Sequence, residues 1–401
     1  MQPCTPVESC PGDDARRSQR VSRIASSPLG GPSRRRRVPN LRGCAGSLCL
    51  VAGLVWFGGA SANAQAVDPE PAVAKPDDRI VGPIHRLTRS AQTVQDYSTI
   101  IERCATTIDQ SDLANADRDY LKKLASWAYN RRCESRLEAA EYYQNAGLEA
   151  QAATTADEAL SDAIQALEFD PSRWRAWVNR GVLLAQAGML AEALADFEKV
   201  TELEPASAVG WYNAGEAHAA LQRYDAAIAC YDRAVQIDPG DLQSLTGRGL
   251  ARLQVGKSDE ALADFELVLK WMPQNAAALL NRGDAHLALR NWRQAYHDYA
   301  SAAKIAESAA TCQRAAWLLA TCPEPEYYRP STAKELATRA VDLAGPSLAA
   351  LEALAAAHAA LGEFEQAIDK QRQALELADD PMRAPCRERL ARYEQHQPLQ
   401  R

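Results

Sequence analysis

Histidine and cysteine are the residues whose chemistry would be most telling, and neither is spaced to perform any. The six histidines are His85, His218, His286, His297, His358 and His396. His218, His286 and His358 share one recurring position of a repeat described below, where a packing side chain belongs. His286 and His297 lie eleven residues apart, without the HExxH or HxxxH spacing that sets two imidazoles over one metal. Of the ten cysteines, six lie in the body of the chain: Cys104, Cys133, Cys230, Cys312, Cys322 and Cys386. They form no CxxC and no framework of paired spacings, so they read as small apolar packing residues, with Cys104 and Cys133 as one pair that neighbouring helices could join. There is no Gly-rich phosphate loop after a strand, no Walker loop and no GxSxG turn. Carboxylates are plentiful, but most occupy outward faces, as at Asp259, Glu260 and Glu363, where they make a solvated acidic surface. The expectation is a chain without a catalytic residue, a metal or a cofactor, and therefore not an enzyme.

Charge narrows the partners. Residues 1–66 hold nine Arg, no Lys and only three acids (Glu8, Asp13, Asp14), which leaves 36 basic against 49 acidic residues in 67–401. So acidic a body repels a phosphate backbone, and nucleic acid is not expected as a partner. Residues 1–40 are rich in Pro, Ser, Gly and Arg without apolar periodicity, and read as disorder. Arg34 to Arg37 and Arg42 precede an uncharged stretch from Gly43 to Val67 whose apolar centre runs from Leu48 to Phe57. That centre has the length of a signal h-region, with Ala62-Asn63-Ala64 and Ala64-Gln65-Ala66 as candidate cleavage sites. A cleaved signal peptide, with export out of the cytoplasm, is the first reading. A membrane anchor over 43–60 with its basic end inside is the second, so membrane contact is expected only through this segment. Asp68 to Pro83 is rich in Pro and Asp and reads as a linker.

The body repeats itself. Pro171, Pro205, Pro239 and Pro273 follow one another at intervals of 34 residues. Between them recur Trp177-Val-Asn-Arg-Gly181, Trp211-Tyr-Asn-Ala-Gly215, Leu245-Thr-Gly-Arg-Gly249 and Leu279-Leu-Asn-Arg-Gly283. Twelve residues past each glycine stands an alanine (Ala193, Ala227, Ala261, Ala295), and four further on an aromatic (Phe197, Tyr231, Phe265, Tyr299). Each unit reads as two amphipathic helices joined by a tight turn, neither able to bury its apolar stripe alone. The mid-helix glycine, costing about 1 kcal/mol in propensity, marks a close approach of the second helix at its alanine. The proline ends that helix.

This pattern resembles the tetratricopeptide repeat, strongly over residues 174–307 and more weakly over about 85–395. Departures are Leu245 and Leu279 in place of Trp, and Glu307 in place of the last proline. The resemblance implies an all-α, right-handed superhelical solenoid of about seven helix pairs. The organisation expected is 1–66 N-region and signal or anchor, 67–84 linker, 85–171 atypical repeat-like helices, 172–307 four regular units, 308–380 further repeat-like units, and 381–401 a capping helix and tail. Trp127-Ala-Tyr-Asn-Arg-Arg-Cys133 echoes the first-helix text, with an insertion before its partner helix.

The resemblance also implies a concave groove lined by the first helices, binding another protein or a peptide. Carried onto this sequence, its positions are Arg175, Val178, Asn179, Val182 and Ala185 in the first regular unit, and Val209, Tyr212, Asn213, Glu216 and Ala219 in the second. They continue with Gln243, Thr246, Gly247, Leu250 and Leu253, then Ala277, Leu280, Asn281, Asp284 and Leu287. Arg175 is the one basic residue in this set, so the Lys/Arg clamp that captures an acidic C-terminal tail is not expected. Asn179, Asn213 and Asn281 form a ladder of amides suited to the backbone of an extended guest, flanked by apolar anchors; the same apolar positions would equally serve to pack helix on helix. The function expected is a non-catalytic interaction scaffold. The alternative is an accessory subunit of a cell-envelope machine for secretion, pilus or cell-wall assembly.

Overall fold

A computed structural model describes residues 77–110 and 112–399. The segment 1–66, with its apolar stretch at 43–60, lies outside the described residues. Those residues hold seventeen helices and no strand. They divide into two compact units, one ending at Pro205 and the other beginning at Ala206. The first unit contains α1 (Gly82–Thr88), α2 (Val94–Ile108), α3 (Asn115–Asn145), α4 (Glu149–Phe169), α5 (Trp174–Gln186) and α6 (Leu190–Leu203). The second contains α7 (Ala208–Ala220), α8 (Tyr224–Ile237), α9 (Leu242–Gln254), α10 (Ser258–Trp271), α11 (Ala276–Ala288), α12 (Trp292–Ile305), α13 (Ala309–Thr321), α14 (Pro330–Ala344), α15 (Leu348–Ala360), α16 (Phe364–Leu377) and α17 (Asp380–Glu394). Within each unit, helices consecutive in the chain pack on one another, and each first helix also meets the first helix of the next pair. From α3/α4 to α15/α16 this makes seven helix pairs, two in the first unit and five in the second, with α17 closing the array. Among the described residues no helix is long and apolar enough to cross a membrane.

The repeat's spacing is enforced by a ring set against a glycine. A Cβ on Gly215 would lie 2.7 Å from Tyr231 Cε1, and one on Gly249 2.7 Å from Phe265 Cε1. The close neighbour of the glycine is thus the aromatic ring of the second helix rather than its alanine. All four rings (Phe197, Tyr231, Phe265 and Tyr299) are almost wholly buried, so the propensity lost at the glycine is offset by burial of an aromatic side chain.

A second tie crosses the pair sixteen residues apart. Arg180 reaches Asp196 with both Nη2 (2.7 Å) and Nε (2.8 Å). Arg282 holds Asp298 in the same fork, at 2.7 and 2.8 Å. Arg248 holds Asp264, which also takes Arg252. In α7/α8 the two places are filled by Ala214 and Cys230. In α3/α4 the equivalent fork joins Arg132 to Asp162, thirty residues apart. The insertion there lengthens both helices, to 31 and 21 residues against 13 and 14 in the pair that follows. Fourteen extra residues shared between two helices amount to about two turns on each, so the fork keeps its register. Burial lifts the Asp196 carboxyl above its ordinary range, despite the Arg180 guanidinium beside it. Desolvation therefore outweighs the attraction at that pair.

One reading of the sequence is corrected. Residues 82–84, assigned to the linker, begin α1: Pro83 occupies a helix-start position, and Val81 and Ile84 are buried with Tyr97 and Leu121. His85 accordingly lies in α1, its Nδ1 2.5 Å from the Tyr120 hydroxyl. Cys104 and Cys133 are both buried and not bridged to one another, and Cys312, Cys322 and Cys386 are buried as well, in keeping with packing residues.

In six of the seven pairs one turn residue takes positive φ: Gly147 (72°), Gly188 (78°), Gln222 (58°), Gly256 (78°), Arg290 (61°) and Gly362 (79°). Gln222 and Arg290 hold a conformation that opposes their Cβ. Replacing either by glycine, as at Gly256, is expected to stabilise the protein by about 0.5–1 kcal/mol, read as a higher urea midpoint; a lower midpoint would contradict the strain. Asp196→Ala is expected to cost about 3 kcal/mol by stranding Arg180. Arg180→Ala with Asp196→Cys, copying Ala214 and Cys230, should return to within about 1 kcal/mol of the parent. A double variant no better than the single one would refute the desolvation argument.

Candidate functional site

In the first unit, α5 carries the first group of expected groove residues. Val178, Asn179 and Val182 are buried, as is Ala185, while Arg175 is half-buried with its guanidinium 4.6 Å from the Trp174 ring. The Asn179 side chain donates to Asn130 Oδ1 at 2.9 Å, and Asn130 donates in turn to Glu134 Oε1 at 2.9 Å. The amide donor expected to meet a guest is here engaged by α3, the first helix of the preceding pair. Asn130 is a participant that the sequence reading passed over, although it stands in the Trp127–Cys133 echo of the repeat.

In the second unit, α7 offers Val209, half-buried, and the buried Tyr212, Asn213 and Glu216. Asn213 donates to its own helix at Val209 O, 2.9 Å away. Tyr231 comes from α8 through the gap left by Gly215, and a Cβ on Gly247 of α9 would meet the same ring at 2.7 Å. Its hydroxyl donates to Glu216 Oε1 at 2.5 Å. Burial raises the Glu216 carboxyl from its usual range to about 7, the Tyr231 hydrogen bond offsetting part of that rise. The Tyr212 phenol is pushed up by burial and by the charge of Glu216.

On α9, Thr246 and Leu250 are half-buried, and Thr246 Oγ1 donates to Leu242 O at 2.7 Å. On α11, Leu280 is buried; Asn281 and Asp284 are half-buried. Asn281 makes no hydrogen bond through its side chain among the described residues. Asp284 accepts from the Tyr299 hydroxyl at 2.7 Å and from Arg314 Nε of α13 at 2.9 Å. Burial raises its carboxyl, and Arg314 is the larger of the influences pulling it back. Arg314 is the second residue missed; its signal was its place thirty residues beyond Asp284.

These acids follow the rings. Fifteen residues before Phe197 and Phe265 stand Val182 and Leu250, whereas fifteen before Tyr231 and Tyr299 stand Glu216 and Asp284. A buried phenol needs an acceptor and a phenyl does not. The histidines sort likewise: His358 is buried with Nδ1 2.6 Å from Glu363 Oε2, and burial lowers the pKa of the half-buried His286. Among the described residues no group of three or more His, Cys, Asp or Glu could hold a metal ion.

The family models for the tetratricopeptide repeat match residues 174–207, 208–241 and 246–320. No curated protein matches the chain. Among solved structures, a tetratricopeptide repeat protein from Parabacteroides merdae aligns over 65% of this chain and 98% of its own, with TM-score 0.51 and 15% identity, a likeness that shows the fold. Pseudomonas aeruginosa pilF aligns over 56% of this chain and 97% of its own at 20% identity and TM-score 0.45. YrrB, described as a tetratricopeptide protein with an unusual peptide-binding site, aligns over 45% and 94% at 23% identity and TM-score 0.36. The matched repeats, the ring-on-glycine pairs and the all-helical stacking agree: the chain is a tetratricopeptide-repeat protein.

Proposed function

We propose that this protein is a non-catalytic scaffold that holds a partner polypeptide in extended form along the first helices of its repeats. Protein interaction is the general role that the repeats support. The observation that carries the finer reading is Asn281, half-buried on α11 with an amide that no other described side chain or backbone group engages. Half-buried Leu250, Leu253 and Leu287 lie on the same helical face of α9 and α11. An amide offering both donor and acceptor beside apolar side chains suits a peptide backbone and its side-chain anchors. Within the second unit the buried Tyr212 and Leu280 then act as the floor of this face; in the first unit, Asn179 braces helix against helix.

The test takes the full chain as bait on an envelope extract, followed by titration of the captured partner. Asn213→Ala with Asn281→Ala should weaken binding by roughly tenfold or more, chiefly through loss of the donor and acceptor bonds of the Asn281 amide at about 1 kcal/mol each. Asn281→Ala alone should account for most of it, since Asn213 already donates within its helix. Unchanged affinity in the double variant would remove the amide ladder from the account.

The N-terminal apolar segment supports a place outside the cytoplasm, where an accessory role in an envelope assembly machine is the narrower version of the same reading. The mature protein is expected in the envelope fraction with a new N-terminus after Ala64 or Ala66. Met1 retained on a cytosolic protein would defeat export and anchoring alike.

A further inference from the structure

Glu216 and Asp284 occupy the same place two repeats apart, and each gives one oxygen to a phenol: Tyr231 at 2.5 Å and Tyr299 at 2.7 Å. Their second oxygens differ. Asp284 Oδ2 accepts from Arg314 Nε at 2.9 Å, an arginine of the following first helix, thirty residues on. Thirty residues beyond Glu216 stands Thr246, whose hydroxyl is turned back to Leu242 O. The neighbour of Thr246 is Gly247, so neither residue can supply a cation there. Among the described residues Glu216 has no cationic partner and its Oε2 accepts no hydrogen bond, although the residue is only 6% exposed. Oε2 is nevertheless not among the buried, partnerless oxygens, so it keeps contact with solvent. A carboxylate this deep that lacks its cation is costly, and the phenol accounts for only one of its oxygens.

We infer that Glu216 is the seat of an arginine side chain brought by an extended guest peptide, whose guanidinium takes the place at Oε2 that Arg314 takes at Asp284. The inference rests on the groove reading above. Arginine fits better than lysine because the template is itself a guanidinium, a planar donor that is weakly hydrated and always charged. The titratable groups facing the site are Tyr212 on α7, Tyr231 and Cys230 on α8, and Asp241 at the head of α9. None is cationic, so among the described residues nothing competes with the guest. Unoccupied, the carboxyl titrates at about 7 because it is buried. A guanidinium bound to it lowers that value, so the complex favours the ionised acid. Affinity is then fully present above pH 7 and falls as the pH drops through 7.

The experiment uses the full chain and two blocked nonapeptides, alanine- and leucine-based, identical except for a central arginine or its neutral isostere citrulline. The arginine peptide should bind at least tenfold more tightly at pH 8, with the ratio shrinking towards one at pH 6. Glu216→Gln, which still accepts the Tyr231 hydroxyl, should erase the preference while leaving the melting temperature within a few degrees of the parent. Thr246→Arg should supply the cation from within, abolish the preference, and bring the Glu216 titration, followed by carboxyl NMR, well below 7 with no peptide present. Equal binding of the two peptides to the parent, or a preference surviving Glu216→Gln, overturns the arginine seat and leaves the groove reading standing. Argininamide binding as tightly as the arginine peptide overturns the peptide as source of the cation. Failure of both peptides to bind, with the Glu216 titration unmoved by Thr246→Arg, overturns the seat and the groove together.

Discussion

The contact on which the rest of this structure depends is an aromatic ring lying against the backbone of a glycine. In each regular pair the ring of the second helix occupies the volume that a Cβ on the first helix would need. That one contact sets how closely the two helices approach, and neither helix has another large fully buried apolar residue that recurs at every period. Interiors close-pack and tolerate neither a missing ring nor an added methyl. The repeat length is then the distance along the chain at which this contact can be formed again, with a proline or its substitute closing each copy.

The choice between Phe and Tyr at that ring reaches beyond the core. A phenyl ends in apolar surroundings and is answered by Val182 or Leu250; a phenol ends in a hydroxyl and is answered by Glu216 or Asp284. The acid positions belong to the same helical face that is expected to meet a guest. The electrostatic character of that face is thus partly a by-product of satisfying a buried hydroxyl, rather than an independent choice. Once the acid is there, its second oxygen must be dealt with separately. At Asp284 the chain does so with Arg314. At Glu216 the second oxygen accepts no hydrogen bond among the described residues, and burial raises both carboxyls.

Much of the fold was legible because it is written in a period. Glycine, alanine, aromatic and proline recur at fixed offsets, and helices with a common spacing have few ways to bury their stripes other than on one another. What stayed hidden were relations between two positions rather than patterns at one. The Arg180–Asp196 fork could have been seen in the text, since Asp196, Asp264 and Asp298 each directly precede the ring. Ala214 and Cys230 break the series together, and a reading one position at a time treats both as noise. The insertion was visible as a gap, but its division between α3 and α4 was not, because that depends on holding Arg132 against Asp162. α1 was misjudged since Pro83 and two aspartates resemble a linker, while the burial of Val81 and Ile84 depends on Tyr97 and Leu121, which are distant in sequence.

The candidate site was legible as a face and illegible as a surface. Helical spacing correctly groups Val209, Tyr212, Asn213 and Glu216, yet spacing cannot separate a side chain that lines a groove from one that forms its floor. Burial makes that division. Val178, Asn213 and Leu280 are buried, whereas Thr246, Leu250 and Asn281 stay half-open. Asn179 and Asn281 have the same residue type and the same repeat position, but only Asn179 has Asn130 within reach of its amide. Whether a repeat position keeps its amide open or braces its neighbour is therefore decided by the adjacent repeat. A solenoid can vary its binding face this way, changing one neighbour while leaving the ring-on-glycine contact untouched.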